Sequence, residues 1–380
     1  MVPLSKIIFQ VRIDKMKLLF VIQGLQSGGA ERVMSILCNT YASQKIQVVV
    51  ALTEKNADIA YELHPSVKVV DLTSTKCTNL AKARGESIKM LRKLYKTERP
   101  DAVVSFITRT NICAILAGLG LKIPVIISER NNPMVDPRNP RTRKLRDLLY
   151  PLSAGCVFQT HYAMNCFSER IKKKSTVIFN PVSSDIYKIR NIQKREKKVV
   201  SICRLNQQKN IPLLIRAFAN VSQKHPEYSL EIYGEGEEKE NLLLLIDELR
   251  LTGRCYLRGH TDIPTDVLSQ VEIFALSSDY EGMPNALIEA LCCGCACVAT
   301  DSPAYGAREL IFQNENGILT EVGNVQEFSM ALDLLMSDSA LRHRFSLNAK
   351  QVEEKVNTER VTTMWLDFIK SKVQGRAVVG

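Results

Sequence analysis

Short, nearly continuous apolar runs recur along the first half of the chain, separated by longer segments of helical periodicity. These runs, all between residues 17 and 160, are KLLFVIQ, IQVVVALT, VKVVDL, DAVVSFIT, IPVIISER and AGCVFQT. Apolar runs without polar alternation are typical of parallel strands that helices cover on both faces. The pattern therefore predicts an α/β domain built on a doubly wound parallel sheet.

The same rhythm restarts after a polar, charged stretch at residues 187–198, YKIRNIQKREKK. The second set of runs is VVSICRL, YSLEIYG, CYLRG, EIFALSS, CACVAT and NGILTEV. A chain of 380 residues is too long for one ordinary core. We therefore predict two doubly wound domains that face each other across a cleft, because ligands of such sheets bind outside the carboxyl ends of the strands.

The domain boundaries follow from these patterns. They are a first domain at 1–187 that includes an extension at 1–16, a linker at 188–198, a second domain at 199–360, and a C-terminal helix at 361–380. This last helix carries the one tryptophan of the chain, Trp365. We expect it to pack back on the first domain, across the domain junction.

The net charge of +11 is unevenly distributed. Residues 1–190 contain 30 Lys and Arg against 14 Asp and Glu, whereas the rest of the chain contains 21 against 26. A basic first half predicts contact of that half with a polyanion or an anionic membrane. No apolar run has the length of a membrane span, and the first fifteen residues lack the pattern of a signal peptide, so we expect a cytoplasmic protein.

The eleven cysteines are odd in number and lie in apolar contexts. This usage predicts reduced, mostly buried thiols. The stretch LCCGCACVAT brings together Cys292, Cys293, Cys295 and Cys297, but its spacing matches no zinc pattern. We therefore expect these four residues to pack as small hydrophobes.

The stretch FVIQGLQSGGAERVM interrupts a strand with two glycines, Gly28 and Gly29, before a helix expected to begin near Ala30. The amides and the positive dipole end of a helix start bind phosphate. A paired glycine is equally typical of a turn that needs positive φ. The residues alone leave both interpretations open.

Two cations follow the first strand of the second domain. In SICRLNQQKN, Arg204 and Lys209 lie five residues apart at the edge of the predicted sheet. Such a pair suits a diphosphate, and a solvated loop is the alternative for either residue alone.

The stretch SSDYEGMPNALIEAL carries two carboxylates around a helix start. Pro284 fits the first helical turn, which places Glu281 in the preceding loop and Glu289 in the second turn. One carboxylate with loop amides can hold a sugar by its hydroxyls, and a deeper carboxylate can accept from both ribose hydroxyls. A surface role suits Glu281 but not Glu289, because an unpartnered carboxylate amid ALIEALCC is costly.

Taken together, GGAERV, CRLNQQKN, YGEGEE and Glu281-x7-Glu289 resemble glycosyltransferase family 4, over residues 17 to about 370. The resemblance implies a GT-B fold of two Rossmann-like domains and a retaining transferase that uses a UDP-sugar. It implies that Gly28 and Gly29 approach the transferred sugar and the diphosphate. Arg204 and Lys209 would then neutralise the leaving diphosphate.

The resemblance also assigns the remaining contacts to the sugar nucleotide. Glu281 would accept hydrogen bonds from the sugar hydroxyls, and Glu289 from the ribose hydroxyls. The other implied contacts are Gly234, Gly236, Gly259, His260, Gly282, Met283 and Asn285. Gly259 and His260 would contact the base, and the amides of residues 282–285 the sugar.

The resemblance further implies a reaction without metal or cofactor, in which the leaving phosphate takes the acceptor proton. No Asp-x-Asp metal site is evident. Many relatives place a His after the fourth or fifth strand, where this chain has Phe106, Thr108 and Arg109. Whether Arg109 contacts an acceptor phosphate or caps the following helix stays open.

The acceptor side is suggested by residues 76–99, which hold eight Lys and Arg against two Glu. With Leu80, Ile88, Leu91 and Leu94 as an apolar stripe, this segment predicts an amphipathic helix on an anionic membrane, and a solvated face is the alternative. A second basic segment lies at 136–149.

SERNNP and EGMPNALIEA resemble family members that add galactose-type or N-acetylhexosamine units to undecaprenyl-diphosphate-linked oligosaccharides, in capsule, O-antigen and N-glycan assembly. The resemblance implies a UDP-sugar, that lipid-linked acceptor and an anionic membrane as partners. The enzyme would then lie peripherally at the inner face of the plasma membrane.

Two other interpretations are possible. Another GT-B enzyme, such as a nucleotide-sugar epimerase or a phosphorylase, would need extra acid and base groups or a pyridoxal lysine, and we find neither in the sequence. A polyanion-binding or nucleic-acid-binding protein would explain the charge but not the acidic second half or Glu289. An aromatic content of 6% also gives little surface for stacking on bases, so we expect no nucleic-acid partner.

Overall fold

The computed structural model of the chain describes residues 16–26, 28–54, 59–72, 80–182, 186 and 195–377. The chain forms two compact units, one of Met1–Pro181 with Val361–Gly380 and one of Val182–Arg360. Of the predicted linker at 188–198, residues 188–194 lie outside the described residues. The predicted end at 198 is wrong, because Glu196 already begins a strand whose first residues extend into solvent.

The first unit contains a seven-stranded parallel sheet with the order β3-β2-β1-β4-β5-β6-β7. The strands are β1 (Lys17–Ile22), β2 (Gln47–Leu52), β3 (Lys68–Asp71), β4 (Ala102–Phe106), β5 (Val125–Ser128), β6 (Gly155–Phe158) and β7 (Thr176–Val177). The helices are α1 (Gly29–Ser43), α2 (Leu80–Glu98), α3 (Thr108–Gly118), α4 (Pro140–Leu149), α5 (His161–Asn165) and α6 (Glu169–Lys172). The strand order reverses between β1 and β4.

Both faces of this sheet are covered, which explains the continuous apolar runs. Leu18 and Phe20 of β1 point into the core on one face, which includes residues of α1. Leu19 and Val21 point into the core on the other face, with residues of α2 and α3. The alternation follows from the two-residue period of a strand.

The second unit contains a six-stranded parallel sheet with the order β10-β9-β8-β11-β12-β13. The strands are β8 (Glu196–Ile202), β9 (Ser229–Tyr233), β10 (Cys255–Gly259), β11 (Val271–Leu276), β12 (Ala296–Thr300) and β13 (Gly317–Thr320). The helices are α7 (Ile211–Ser222), α8 (Lys239–Glu248), α9 (Pro264–Gln270), α10 (Asn285–Cys292), α11 (Gly306–Leu310), α12 (Val325–Ser337), α13 (Ser339–Asn348) and α14 (Lys350–Val356). The predicted α/β class, with two doubly wound parallel sheets, is confirmed.

The last helix, α15 (Thr358–Ala377), contributes from Val361 onward to the first unit. Trp365 is fully buried there, with its ring centroid 5.5 Å from that of Phe106. The Tyr41 hydroxyl donates to the Thr362 carbonyl at 2.9 Å. The tryptophan therefore belongs to the core of the first unit.

The ten cysteines in the described ranges are free, and the four of the LCCGCACVAT stretch are buried, as predicted. Within the same ranges no group of three His, Cys, Asp or Glu is arranged to hold a metal ion. None of the helices described has both the length and the apolar character of a membrane span.

The apolar stripe predicted on residues 76–99 does not face a membrane. Leu91 and Leu94 of α2 are buried in the core of the first unit, and Ile88 packs against the same core. The Leu80 side chain and residues 76–79 lie outside the described part of the chain. The predicted membrane contact of Ile88, Leu91 and Leu94 is therefore wrong. An apolar stripe has the same period whether it packs on a protein core or on a bilayer.

Candidate active site

The strand order of the second unit reverses between β8 and β11, and the loops that follow these strands leave the same edge of the sheet. Ligands of doubly wound sheets bind at this switch point. The loop at 203–210 is hydrogen-bonded to the loop at 277–284. The Asp279 amide donates to the Gln208 carbonyl at 2.9 Å, and Asn210 Nδ2 donates to Asp279 Oδ1 at 2.7 Å. The two loops therefore hold each other in place.

Lys209 and Glu281 meet where these loops join. Lys209 ends a short 3-10 turn, and its Nζ donates to Glu281 Oε1. The Ser278 hydroxyl donates to the same oxygen at 2.8 Å. Glu281 is only 7% exposed, so the surface role that the sequence allowed for it is wrong, because the loop folds the carboxylate inward. Lys209 and Glu281, to which the family resemblance assigns the diphosphate and the sugar separately, therefore contact each other.

This contact keeps Lys209 charged. Burial by itself lowers the pKa of Lys209, but the neighbouring Glu281 carboxylate outweighs burial, and the pKa is raised overall. An ammonium group has three N–H groups and a carboxylate has further lone pairs, so the pair offers both donors and acceptors to a ligand. Removing one partner would leave the other charge buried, which is costly.

Glu289 lies in the second turn of α10, which begins at Asn285 with Pro284 as its N-cap residue. Glu289 is 4% exposed, so its predicted burial is confirmed. The ribose contact implied for it stays a prediction.

Arg204 is exposed in the loop that follows β8, and two glycines after β9 lie against this loop. A Cβ at Gly234 would lie 1.7 Å from the Cys203 carbonyl oxygen, and one at Gly236 would lie 2.1 Å from the Leu205 carbonyl oxygen. No side chain fits at either position. The two glycines therefore support the loop that carries Arg204, and their contact with a nucleotide stays a prediction.

Gly259 and His260 lie at the end of β10, beside the same group of loops. The Gly259 carbonyl accepts from the Gly234 amide at 2.7 Å. His260 is exposed, and its Nε2 lies 3.2 Å from Asp262 Oδ1. The implied base contact stays a prediction.

Gly306, which begins α11, was not among the site residues expected from the sequence. A Cβ there would lie 1.8 Å from the Gly282 carbonyl oxygen and 2.9 Å from the Met283 Cα. Gly282 and Met283 are buried, and Asn285 is half-buried at the start of its helix. Gly306 could have been proposed from the sequence, because it lies between a strand and a helix, as Gly28 does.

In the first unit, α1 begins at Gly29 with Gly28 as its N-cap residue. Gly28 has φ −163° and ψ 160°, an extended conformation that any residue adopts, so the positive-φ explanation for this glycine is wrong. The Gly28 carbonyl accepts from the Arg32 amide at 3.0 Å and from the Tyr61 hydroxyl at 3.2 Å. The phosphate contact implied for the pair stays a prediction.

Comparison with known proteins identifies the family. The pattern described as Glycosyltransferase Family 4 matches residues 27–186, and the pattern described as Glycosyl transferases group 1 matches residues 183–352. The N-acetylgalactosamine-N,N'-diacetylbacillosaminyl-diphospho-undecaprenol 4-alpha-N-acetylgalactosaminyltransferase of Campylobacter jejuni is 32% identical over 350 residues, 88% of this chain and 94% of that protein. The chain belongs to the family 4 glycosyltransferases.

Further comparisons agree with this assignment and with the predicted class of hexosyltransferase. The GalNAc-alpha-(1->4)-GalNAc-alpha-(1->3)-diNAcBac-PP-undecaprenol alpha-1,4-N-acetyl-D-galactosaminyltransferase of C. jejuni is 29% identical over 93% of this glycosyltransferase and 98% of that protein. The solved structure of Anabaena HepE in complex with UDP has a TM-score of 0.76 at 19% identity, covering 94% of this chain and 100% of that one. At that identity the likeness shows the fold alone, and it confirms the predicted GT-B class.

The first unit of the glycosyltransferase contains a buried polar cluster that was also not expected from the sequence. Glu129 follows β5, is 2% exposed, and accepts from the Thr108 hydroxyl at 2.9 Å and from the Tyr150 hydroxyl. Burial raises the pKa of Glu129 to about 7, although the nearby Arg146 charge opposes that rise. This carboxyl therefore changes protonation near neutral pH.

A strained residue lies beside this cluster, at the switch point of the first unit. Ile107, between β4 and α3, has φ 74° and ψ 136°. Positive φ is costly for a β-branched residue, and such strain clusters at ligand sites. Arg109 is exposed in the first turn of α3, and its charge opposes the rise that burial causes in the pKa of Asp136. Its contact with an acceptor stays open.

Proposed function

We propose that this glycosyltransferase moves a hexose or N-acetylhexosamine from a UDP-sugar to a glycan linked to a lipid diphosphate, with retention of the anomeric configuration. The observation that carries the proposal is the Lys209–Glu281 contact at the switch point of the second unit. Arg204 lies on the same loop as Lys209, and Glu289 is buried in the helix that follows Glu281.

The contact between a cation and a carboxylate supports a glycosyl diphosphate as the donor. In such a ligand the sugar hydroxyls lie a few bonds from the phosphoryl oxygens, so Lys209 can donate to phosphate while Glu281 accepts from a hydroxyl. Arg204 supplies a second cation for the diphosphate. Glu289 is the proposed acceptor for the ribose hydroxyls.

The proposed reaction breaks the bond between the anomeric carbon of the sugar and the β-phosphate oxygen. The acceptor hydroxyl oxygen bonds to the same face of that carbon, its proton passes to the leaving phosphate oxygen, and UDP departs. Arg204 and Lys209 stabilise the charge that develops on the diphosphate. The proposal therefore requires neither a metal ion nor a separate general base.

The proposed acceptor rests on relatives and on charge. Both C. jejuni enzymes are named for acceptors linked to undecaprenol by a diphosphate. Residues 1–190 of this chain hold 30 basic against 14 acidic side chains. A diphosphate-linked lipid is an anion within an anionic surface, which a basic unit would attract.

A surface of the first unit around α4 supports peripheral membrane contact. Its exposed large hydrophobic residues are Met134, Val135, Leu145, Leu148 and Leu152. Its exposed basic residues are Arg138, Arg141 and Lys144. We name the segment at 134–152 the α4 surface.

The α4 surface has the composition of an interfacial helix. Arg141, Leu145, Leu148 and Leu152 are spaced four, three and four residues apart, which brings them to one side of α4 and the turn after it. Exposed leucines among three exposed cations and one exposed acid, Asp147, suit the boundary of an anionic bilayer. We propose that this surface, rather than the apolar stripe of α2, enters the membrane interface.

Donor binding is tested by thermal unfolding with UDP and a panel of UDP-sugars, since a ligand that binds the folded state raises the midpoint. We expect UDP to raise the wild-type midpoint and Glu289→Gln to abolish most of that rise. Glu240→Gln, an exposed control in α8, should respond like the wild type. A wild-type midpoint that no UDP-sugar changes would contradict the proposed donor.

Transfer is tested with a labelled UDP-sugar and a short-chain polyprenyl-diphosphate glycan as acceptor. We expect a product whose anomeric configuration, read by NMR, matches the donor, and a rate that a chelator of divalent cations leaves unchanged. An inverted product would contradict the proposed mechanism and leave the donor assignment intact.

A further inference from the structure

Arg130 carries a buried guanidinium group whose hydrogen bonds are only partly satisfied. It follows β5 at the carboxyl edge of the first unit's sheet. Its Nη2 donates to Asn180 Oδ1 at 2.8 Å, and its Cζ lies 4.6 Å from the centre of the Phe106 ring. Its Nε and Nη1 are buried and have no hydrogen-bond partner among the residues that the structure describes. These two nitrogens carry three N–H groups.

Gln159, which follows the neighbouring strand β6, has a buried acceptor atom without a hydrogen-bond donor among the described residues. Its Nε2 donates to Asn180 Oδ1 at 2.7 Å, which orients it beside Arg130. Its Oε1 is buried, and none of the described groups donates to it. Unsatisfied donors and an unsatisfied acceptor therefore lie on two adjacent loops and share Asn180 as their common contact.

This arrangement is costly for the free protein. Burial lowers the pKa of Arg130 to about 9, with Glu31 in the first turn of α1 opposing that effect, so the side chain remains charged at neutral pH. A buried charge with unsatisfied donors destabilises the folded state. Packing alone gives no reason to keep such a group, whereas a ligand that supplies the missing partners does.

We propose that Arg130 and Gln159 bind a glycosyl phosphate. The guanidinium donates to the phosphoryl oxygens, which accept only, and Gln159 Oε1 accepts from a sugar hydroxyl. A simple anion without hydroxyls would leave Gln159 unsatisfied. The inference rests on the proposed function, which offers two glycosyl phosphates: the UDP-sugar and the lipid-diphosphate-linked acceptor.

The test compares Arg130→Met with Lys122→Met, which removes an exposed charge from the same unit. Methionine keeps an unbranched apolar stem against Phe106, and Asn180 keeps its donor from Gln159. The probes are the UDP-sugar that stabilises the wild type most and a short-chain polyprenyl diphosphate carrying one N-acetylhexosamine. Each is titrated in thermal unfolding at fixed protein concentration.

We expect Arg130→Met to weaken one of the two probes about 10- to 100-fold, because charge-assisted hydrogen bonds are lost. Its midpoint without ligand should stay unchanged or rise, which a residue kept for folding would not show. Weakening of the polyprenyl probe alone assigns the site to the acceptor, and weakening of the UDP-sugar alone assigns it to the donor. Unchanged affinity for both probes overturns the inference.

Gln159→Leu is a second variant that covers the case in which Arg130→Met does not fold. It should weaken the same glycosyl phosphate about tenfold, and unchanged affinity for both probes would again overturn the inference. A wild type that binds neither probe contradicts the proposed function instead. In that case inorganic pyrophosphate is titrated in thermal unfolding on the wild type and on Arg130→Met, which tests the inference independently of the proposed function. Equal midpoint shifts for the two proteins would overturn the inference.

Discussion

At the carboxyl edge of the second unit's sheet a partly buried ammonium group is paired with a carboxylate, whereas at the same edge of the first unit a buried guanidinium group has nitrogens without a hydrogen-bond partner among the described residues. In the second unit Lys209 contacts Glu281, and Asn210 contacts Asp279. In the first unit, Arg130 Nε and Nη1 and the nearby Gln159 Oε1 have no such contact. The cation of the second unit is therefore paired before a ligand arrives, and the buried cation of the first unit gains hydrogen bonds when one binds.

The backbone distinguishes the two edges less sharply. In the second unit, glycines such as Gly236 and Gly306 let neighbouring loops approach within a distance that excludes any Cβ. In the first unit, Ile107 is held at positive φ beside the buried Glu129 cluster, and in the second unit Ala304 and Tyr305 are at positive φ before α11. Close packing fixes the loops of the second unit's edge, whereas a buried carboxyl that titrates near neutral pH marks the edge of the first.

Breaking the charged contact of the second unit should have the largest effect. Lys209→Met leaves Glu281 buried without its cation, which we expect to cost about 3 kcal/mol of unfolding free energy. It should also lower kcat/KM at least 100-fold, on the order of a lost oxyanion donor, because the leaving diphosphate loses a cation. Urea denaturation and steady-state transfer measure the two effects.

Two controls separate stability from chemistry in this experiment. Lys209→Met combined with Glu281→Gln should recover most of the stability and none of the activity. Lys224→Met removes the cation of an exposed pair with Asp333 and should cost less than about 1 kcal/mol. A double variant as unstable as the single one would show that the ion pair does not hold the loops together.

The buried carboxyl of the first unit should make stability depend on pH. The pKa of Glu129 is raised from its ordinary value near 4.5 to about 7, so between those values the folded protein holds a proton that the unfolded chain releases. Stability from this group is complete below about pH 4.5 and is lost as pH rises through 7, by about 3 kcal/mol.

Glu129→Gln removes this titration while keeping the shape of the side chain. Unfolding midpoints between pH 5 and pH 8 should therefore fall less steeply with pH in the variant than in the wild type. Glu240→Gln should retain the wild-type slope. Parallel curves for the wild type and Glu129→Gln would show that Glu129 is already ionised across this range.

A smaller loss of stability is expected where close packing holds the loops at the carboxyl edge of the second unit's sheet. Gly236→Ala places a Cβ against the Leu205 carbonyl, so the loop that carries Arg204 must shift. We expect a loss of about 2 kcal/mol in unfolding free energy and weaker binding of UDP. Gly85→Ala, which meets no atom within 4 Å, is the matched control and should gain up to about 1 kcal/mol in its helix. If Gly236→Ala bound UDP with wild-type affinity, the loop that carries Arg204 would not be part of the donor site.

Much of the fold could be predicted because parallel strands covered on both faces leave uninterrupted apolar runs, as from Leu18 to Ile22. The burial of Glu289 could be predicted for a similar reason, since its neighbours in α10 are apolar. The pattern failed for α2, because an apolar stripe does not say whether a core or a bilayer covers it.

Contacts between residues far apart in the chain could not be predicted from the sequence. Lys209 and Glu281 are 72 positions apart, and their contact depends on how two loops turn after their strands. Arg130 and Gln159 follow different strands, and both donate to Asn180 Oδ1. A charge or an amide in a loop shows no sign, in one sequence, of whether its partner is protein or ligand.

The smallest effect concerns two leucines with equal exposure on the two units. Leu148 of α4 and Leu244 of α8 are each 71% exposed, but Lys144 precedes the first by one helical turn and Glu240 the second. Leu148→Asn should reduce binding to anionic vesicles several-fold at low salt, because the apolar contact is lost on a surface that the membrane attracts. Leu244→Asn should leave vesicle binding unchanged, because an acidic surface is repelled before its leucine can insert. Sedimentation with vesicles of anionic and of neutral lipid measures both variants, and equal losses for the two leucines would remove the α4 surface from the proposal.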